Sequence, residues 1–163
     1  MAQAVPNDYG AVTPYIVVKG AAQLIDFMKA AFGAEERGRF PSADGTLSHA
    51  EVTIGGRVIQ MFDSKPGWPD TPAFITLYVE DAEAIHDSAI TAGATEITPL
   101  GDNAWGDRMC RVRDPLGNIW WIQTHRHDVS EAEMMRRMAE PEYQANLKMT
   151  AETFDAEMTR RAH

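Results

Sequence analysis

The feature that most constrains this chain is that it runs through the same order of elements twice, at an offset of about sixty residues. Gly33-Ala34-Glu35 returns as Gly93-Ala94 followed by Glu96, and Gln60 falls opposite Trp121. In the first half, Tyr15 to Val18 is a short β-branched run that predicts a strand. Leu24, Phe27, Met28, Ala31 and Phe32 recur at helical spacing and predict a helix over 21–32, closed by Gly33 where φ must be positive. Strands follow over 35–40, 47–54 and 57–62, with a turn from Pro41 to Gly45 and Gly55-Gly56 as a two-residue hairpin loop. The second half repeats the order. A strand over 74–79 precedes a helix from the N-cap Asp81 through Ala92, closed by Gly93. A short strand over 96–99 comes next, then strands over 108–113 and 119–123 around Asp114-Pro-Leu-Gly117. Each half is one βαβββ unit, so the fold class is α+β. A helix covers one face of its sheet and leaves the other bare, so the two units are expected to pair as half-barrel sheets around a small-molecule cavity.

This gives an arm over 1–12, a first module over 13–63, a linker over 64–72, a second module over 73–127 and a helical tail over 128–163, with both modules in one domain. The linker holds Pro66 and Pro69 around Trp68. Ser130 and Glu133 have capping-box spacing, with Met134, Met135 and Met138 behind them. Pro141 ends that helix and begins another, in which Leu147, Phe154 and Met158 form a partial stripe. Packing against the body or a second subunit explains these residues better than a ligand lid does. A net charge of −9 argues against a nucleic-acid partner. No apolar run is long enough to span a membrane. The start, MAQAVPNDYG, has no apolar h-region. The single Cys110 cannot form an internal disulfide, which fits a reducing compartment, the cytoplasm.

Strand alternation sorts the side chains. The Gly55-Gly56 turn pairs Ile54 with Arg57, Val52 with Ile59, Glu51 with Gln60 and His49 with Phe62. Ala50, Val52, Ile54, Ile59 and Met61 then lie under the helix, and His49, Glu51, Thr53, Gln60 and Phe62 face the cavity. In the second hairpin, a four-residue loop pairs Arg108 with Gln123, Cys110 with Trp121 and Val112 with Ile119, and puts all six on the cavity face. Phe74, Thr76 and Tyr78 alternate to that side, as do Tyr15 and Val17. Trp68 and Trp105 sit in loops near the expected mouth. The candidate ligand-binding set is therefore Tyr15, Gln60, Phe62, Phe74, Tyr78, Trp105, Arg108, Trp121 and Gln123: aromatic walls with sparse polar groups, as small-ligand sites have. His49 and Glu51 are the candidate acid–base pair, or part of a buried polar network. Arg108 is read either as the grip for a ligand anion or as the partner of Glu51. Cys110 reads as a small buried hydrophobe, His125 and His127 as cap or surface residues, and His86 as solvated.

Thr13-Pro-Tyr-Ile-Val-Val18, Leu24-Ile-Asp-Phe27 running into Phe32-Gly33, and Asp114-Pro-Leu-Gly-Asn118 carry a family likeness. Over roughly residues 13–139 the chain resembles the vicinal oxygen chelate superfamily of glyoxalase I, extradiol dioxygenases, fosfomycin-resistance and bleomycin-binding proteins. Trp105-Gly-Asp-Arg108, Arg113-Asp-Pro, Thr124-His125 and Asp128-Val-Ser130 are similar to its PhnB-like branch. The resemblance implies a homodimer. It also implies that metal-dependent members draw a His or Glu from the first and last strands of each half. Carried over, those positions are Thr13, Gln60, Phe74 and Trp121, so no metal or other cofactor is expected. The first functional reading is a metal-independent, bleomycin-resistance-like protein that binds a small, partly aromatic organic molecule. The second is a lyase, isomerase or hydrolase using His49 and Glu51, or a metal enzyme with a shifted site. The third is a dimeric scaffold with a vestigial cavity.

Overall fold

The structure, a computed structural model, describes residues 4–6 and 9–161. The first module consists of β1 (Tyr15–Val18), α1 (Ala21–Phe32), β2 (Glu35–Pro41), β3 (Leu47–Ile54) and β4 (Arg57–Asp63). The second consists of β5 (Phe74–Tyr78), α2 (Ala82–Thr91), β6 (Thr95–Asp102), β7 (Asp107–Arg113) and β8 (Ile119–His125). The tail is α3 (Glu131–Met138) and α4 (Pro141–Arg161). The sheets run β1-β4-β3-β2 and β5-β8-β7-β6. In each, the first strand lies parallel to the last and the other pairings are antiparallel. The expected α+β class and its repeated βαβββ unit are what the chain forms.

The first hairpin closes as its glycines dictate. Gly55 and Gly56 have φ of 55° and 72°, so both adopt the left-handed conformation that a type I′ turn requires. Ile54 then faces Arg57, and Val52 with Ile59 and Ala50 with Met61 pack under α1. The second hairpin differs from expectation by one residue. Its loop runs from Asp114 to Asn118, because Asp114 is buried and folds the turn around its own carboxylate. Oδ1 accepts from the backbone N–H of Leu116 and Asn118; Oδ2 accepts from the Asn118 amide and from Trp120 Nε1. The ladder therefore closes at Arg113–Ile119 and pairs Arg111 with Trp121, Cys110 with Ile122 and Arg108 with Thr124. Arg108 and Cys110 consequently lie on the helix side of the sheet, not beside Trp121.

The helix-covered sides of both sheets meet in a single core. Leu24, Ile25 and Met28 of α1 are fully buried, α1 packs on α2, and Phe32 lies 4.8 Å from Trp120 between ring centroids. Each sheet's other side, its free face, lies away from this core. The helices are anchored at matching places. The Asp63 carboxylate, ending β4, accepts from Gly20 N and Ala21 N at the start of α1. The Thr124 hydroxyl in β8 accepts from Ala82 N at the start of α2 and donates to the Val79 carbonyl.

The tail forms as two helices, with Ser130 capping α3 through Glu133 N. Glu133 does not complete the box; its carboxylate pairs with Arg136 and Arg137 instead. Helix α4 then lies along β6 on the free side of the second sheet. Gly101 permits this approach, since a Cβ there would stand 2.1 Å from Asn146 Oδ1.

Candidate functional site

Equivalent rows cross the two free faces. In the first sheet, Tyr15, Gln60, Glu51 and Gly38 lie side by side. In the second, the matching row is Thr76, Trp121, Arg111 and Thr98. A carboxylate in one module thus corresponds to a guanidinium in the other.

The first face gathers the predicted polar residues. Glu51 is the hub. Tyr9 donates to it at 2.7 Å and Gln60 Nε2 at 3.0 Å, His49 Nε2 lies 3.1 Å away, and Arg37 lies 3.5 Å away. Burial opposes its ionisation, but the bonds from Gln60, Tyr9 and His49 outweigh that and hold its carboxyl below the ordinary range. The Tyr15 hydroxyl is 2.9 Å from His49 Nδ1, so both ring nitrogens of His49 have partners. Around this network stand aromatic rings. Tyr15 meets Phe62 edge-on at 5.4 Å, Phe62 meets Trp68 at 6.1 Å, and Phe40 lies 5.9 Å from His49. Tyr15, Phe40 and Trp68 are exposed. Tyr9 belongs to the 1–12 arm, part of which lies outside the described residues; its own hydroxyl reaches Glu51. No pattern in the sequence marked Tyr9 or Phe40.

The second face carries Phe74, Tyr78, Trp121 and Gln123 as expected, with Arg111 and Met109 where Arg108 and Cys110 were expected. Phe74 and Trp121 stack nearly parallel, 9° apart at 6.3 Å. Arg111 is 7% exposed and lies over the Trp121 ring at 4.3 Å. Tyr78 donates to Asp107 at 3.1 Å, and burial together with that carboxylate pushes its phenol up. Arg108 instead reaches Asp102 and Glu83. The Cys110 thiol is fully buried, and burial pushes it up to about 12, so it is not a nucleophile at neutral pH. Trp105 lines a small pocket together with Met138, Tyr143 and Leu147 of the tail. His86, expected in solvent, is paired with Glu96 at 2.9 Å and Asp87 at 3.2 Å. His125 lies 2.6 Å from Asp107 and 3.1 Å from Asp128.

The contacts described for the first face come from residues 9–68, and those for the second from residues 74–154. A cavity of about 700 Å³ lies instead at the module junction, against Lys19, Asp70, Arg113, Leu116, Met158 and Arg161. It contains none of the nine expected ligand-binding residues.

The donor set does not fit a divalent cation. Thr13 donates its hydroxyl to the Gly10 carbonyl and Gln60 is committed to Glu51. Phe74 and Trp121 offer no donor for a metal. Among the described residues, no three His, Cys, Asp or Glu side chains converge as a metal set. Nor is any helix among them long and apolar enough to cross a membrane.

The profile of the Glyoxalase/Bleomycin resistance protein/Dioxygenase superfamily matches residues 10–122. An uncharacterized protein of Mycobacterium bovis is 37% identical over 140 residues, covering 79% of this chain and 92% of its own. The crystal structure of TioX from a Micromonospora species superposes with a TM-score of 0.58 at 24% identity, over 71% of this chain and 99% of that one. The fosfomycin resistance protein FosX of Listeria monocytogenes, solved with Mn(II) and sulfate, superposes with a TM-score of 0.56 at 15% identity, over 77% and 97%. At those identities the structural matches speak for the fold.

Proposed function

The chain belongs to the glyoxalase/bleomycin resistance/dioxygenase superfamily, and from that premise we propose that it binds a small, partly aromatic organic molecule without a metal. The observation that carries the reading is the second module's free face, where Trp121 and Phe74 stand parallel at the positions that would have to supply metal donors. Planar rings held parallel offer a stacking platform. Exposed Tyr15, Phe40, Phe74 and Tyr78 leave apolar surface on both free faces, the mark of a ligand or partner surface. Together with the family likeness, these exposed rings support a homodimer in which the first face of one copy meets the second face of its partner. The binding set is Tyr15, Gln60, Phe62, Phe74, Tyr78, Trp121 and Gln123, with Arg111 in place of Arg108. The motifs from Trp105 to Ser130 favour the PhnB-like branch, and the lone buried cysteine favours the cytoplasm.

Native mass spectrometry and titration with 1-naphthoate test this. A bound aromatic molecule, or an affinity that falls about tenfold or more in Trp121→Ala, is the expected result. Tight stoichiometric uptake of Zn²⁺ or Mn²⁺, lost in His49→Ala, would overturn metal independence. One observation favours a second, catalytic reading. Tyr15, His49 and Glu51 form a continuous chain of hydrogen-bond contacts that could relay a proton. Turnover of a bound molecule abolished by His49→Ala, with binding retained, would select it.

A further inference from the structure

Arg111 is a buried cation with no counter-ion among the described residues. Its NH1 donates to the Thr150 carbonyl at 3.0 Å and more distantly to Thr98 Oγ1 at 3.5 Å. Neither acceptor is charged, and its Nε has no partner among the described residues. Trp121 Nε1, beside it, is also buried and has no hydrogen-bond partner among the described residues. A guanidinium taken out of water is normally matched by a carboxylate, because desolvation without one is costly. Here the match is aromatic: the guanidinium lies between Trp121 at 4.3 Å and Phe154 of α4 at 4.9 Å. Phe154 also stacks on Phe74, 5.4 Å away with the planes 24° apart. A ring from the chain's own tail therefore makes the contacts a planar ligand would make, and brings no anion.

The helix that delivers this ring is lightly held. Only Thr150 and Glu157 of α4 are buried. Its other ties to the sheet are polar: Thr153 to Thr98, Asn146 to the Asp102 carbonyl and Glu157 to Arg113.

We propose that Phe154 occupies the seat of a planar aromatic carboxylate, which displaces the ring, stacks on Phe74 and Trp121, and supplies the anion that Arg111 lacks. This rests on the reading of that face as a binding surface and adds the ligand's charge and the built-in competitor. The seat's apparent affinity is reduced by the fraction of molecules in which Phe154 fills it.

The experiment titrates 1-naphthoate and its neutral analogue 1-naphthalenemethanol into the full chain, into Phe154→Ala and Phe154→Leu, and into each of these combined with Arg111→Gln. Melting curves identify the folded variants, and Phe154→Leu keeps apolar packing if the alanine variant unfolds. The expected result is naphthoate binding about tenfold tighter without the Phe154 ring, a clear preference for the carboxylate, and loss of that preference with Arg111→Gln. Naphthoate binding unchanged by loss of the ring, or both probes binding alike before Arg111 is altered, would overturn the inference and leave the aromatic surface standing. No binding of either probe to any folded variant would remove the surface itself, and the inference with it.

Discussion

The two modules share a fold and differ in what they do with its equivalent positions. Where the first places Glu51 and Gln60 on its free face, the second places Arg111 and Trp121. Where the first anchors its helix with the charged Asp63, the second uses the neutral Thr124. The first hairpin turns on two glycines; the second turns on one buried carboxylate. A duplicated scaffold thus keeps its topology by different local devices, and one pair of equivalent positions on its free faces, Glu51 and Arg111, carries opposite charge. That divergence is what turns a symmetric pair of sheets into two unlike surfaces.

The turns should separate most. Asp114→Ala strands Trp120 Nε1 and the Asn118 amide in the interior and is expected to lower stability by about 3–5 kcal/mol in urea unfolding. Gly55→Ala meets no neighbour within 4 Å, strains only φ, and is expected to cost about 1 kcal/mol. Equal costs would mean that the two turns are not held differently.

The helix anchors come next. Burial opposes ionisation of Asp63, but the backbone N–H groups of Leu47, Ala21 and Gly20 outweigh it and hold the carboxyl below its usual 3.8. A depressed folded value means a stabilising contribution that is present above pH 3.8 and lost as pH falls through the folded value. Asp63→Asn should therefore cost stability at neutral pH, by about 1–2 kcal/mol, and cost progressively less in acid. Thr124→Val should show no such pH dependence. Acid unfolding curves of the two variants that run parallel would erase the distinction.

The charged rows should respond in opposite senses. Glu51→Gln breaks a satisfied network and is expected to destabilise by about 1 kcal/mol, whereas Arg111→Gln removes an unmatched cation and is expected to be neutral or stabilising. Comparable losses in thermal melts would show that Arg111 is not short of a partner.

The smallest effect is at the second module's edge. Asp107, with help from Asp128, holds the His125 imidazolium above its usual 6.5. A raised folded value gives a contribution fully present below pH 6.5 and lost as pH rises through the folded value. His125→Asn should flatten the decline in stability on the alkaline side; an unchanged slope would dissociate the pair from stability.

The repeat and the glycine hairpin made the first module legible down to its register, because Gly55-Gly56 admits one tight turn. The second hairpin was not legible, because nothing in Asp114-Pro-Leu-Gly-Asn118 states that the Asp114 side chain will draw Asn118 into the loop. That single residue hid Arg111 and brought Arg108 and Cys110 forward wrongly. The corrective signal was present: Cys110, Val112, Trp120 and Ile122 form an apolar set like Ala50, Val52, Ile59 and Met61. The cover over the second face was also hidden. Helix α4 is polar nearly all round, and it is held by Gly101's missing side chain and by threonines rather than by an apolar stripe.

The central claim is that two unlike faces, one from each module, share one ligand across a pair of chains. It is tested by mixing two impaired proteins, Phe62→Asp in the first face and Trp121→Ala in the second, after exchange of subunits. If each site draws one face from each copy, about a quarter of the sites in an equal mixture recover wild-type affinity for 1-naphthoate, although each protein alone binds it only weakly. A mixture that binds no better than its parts would contradict the shared site.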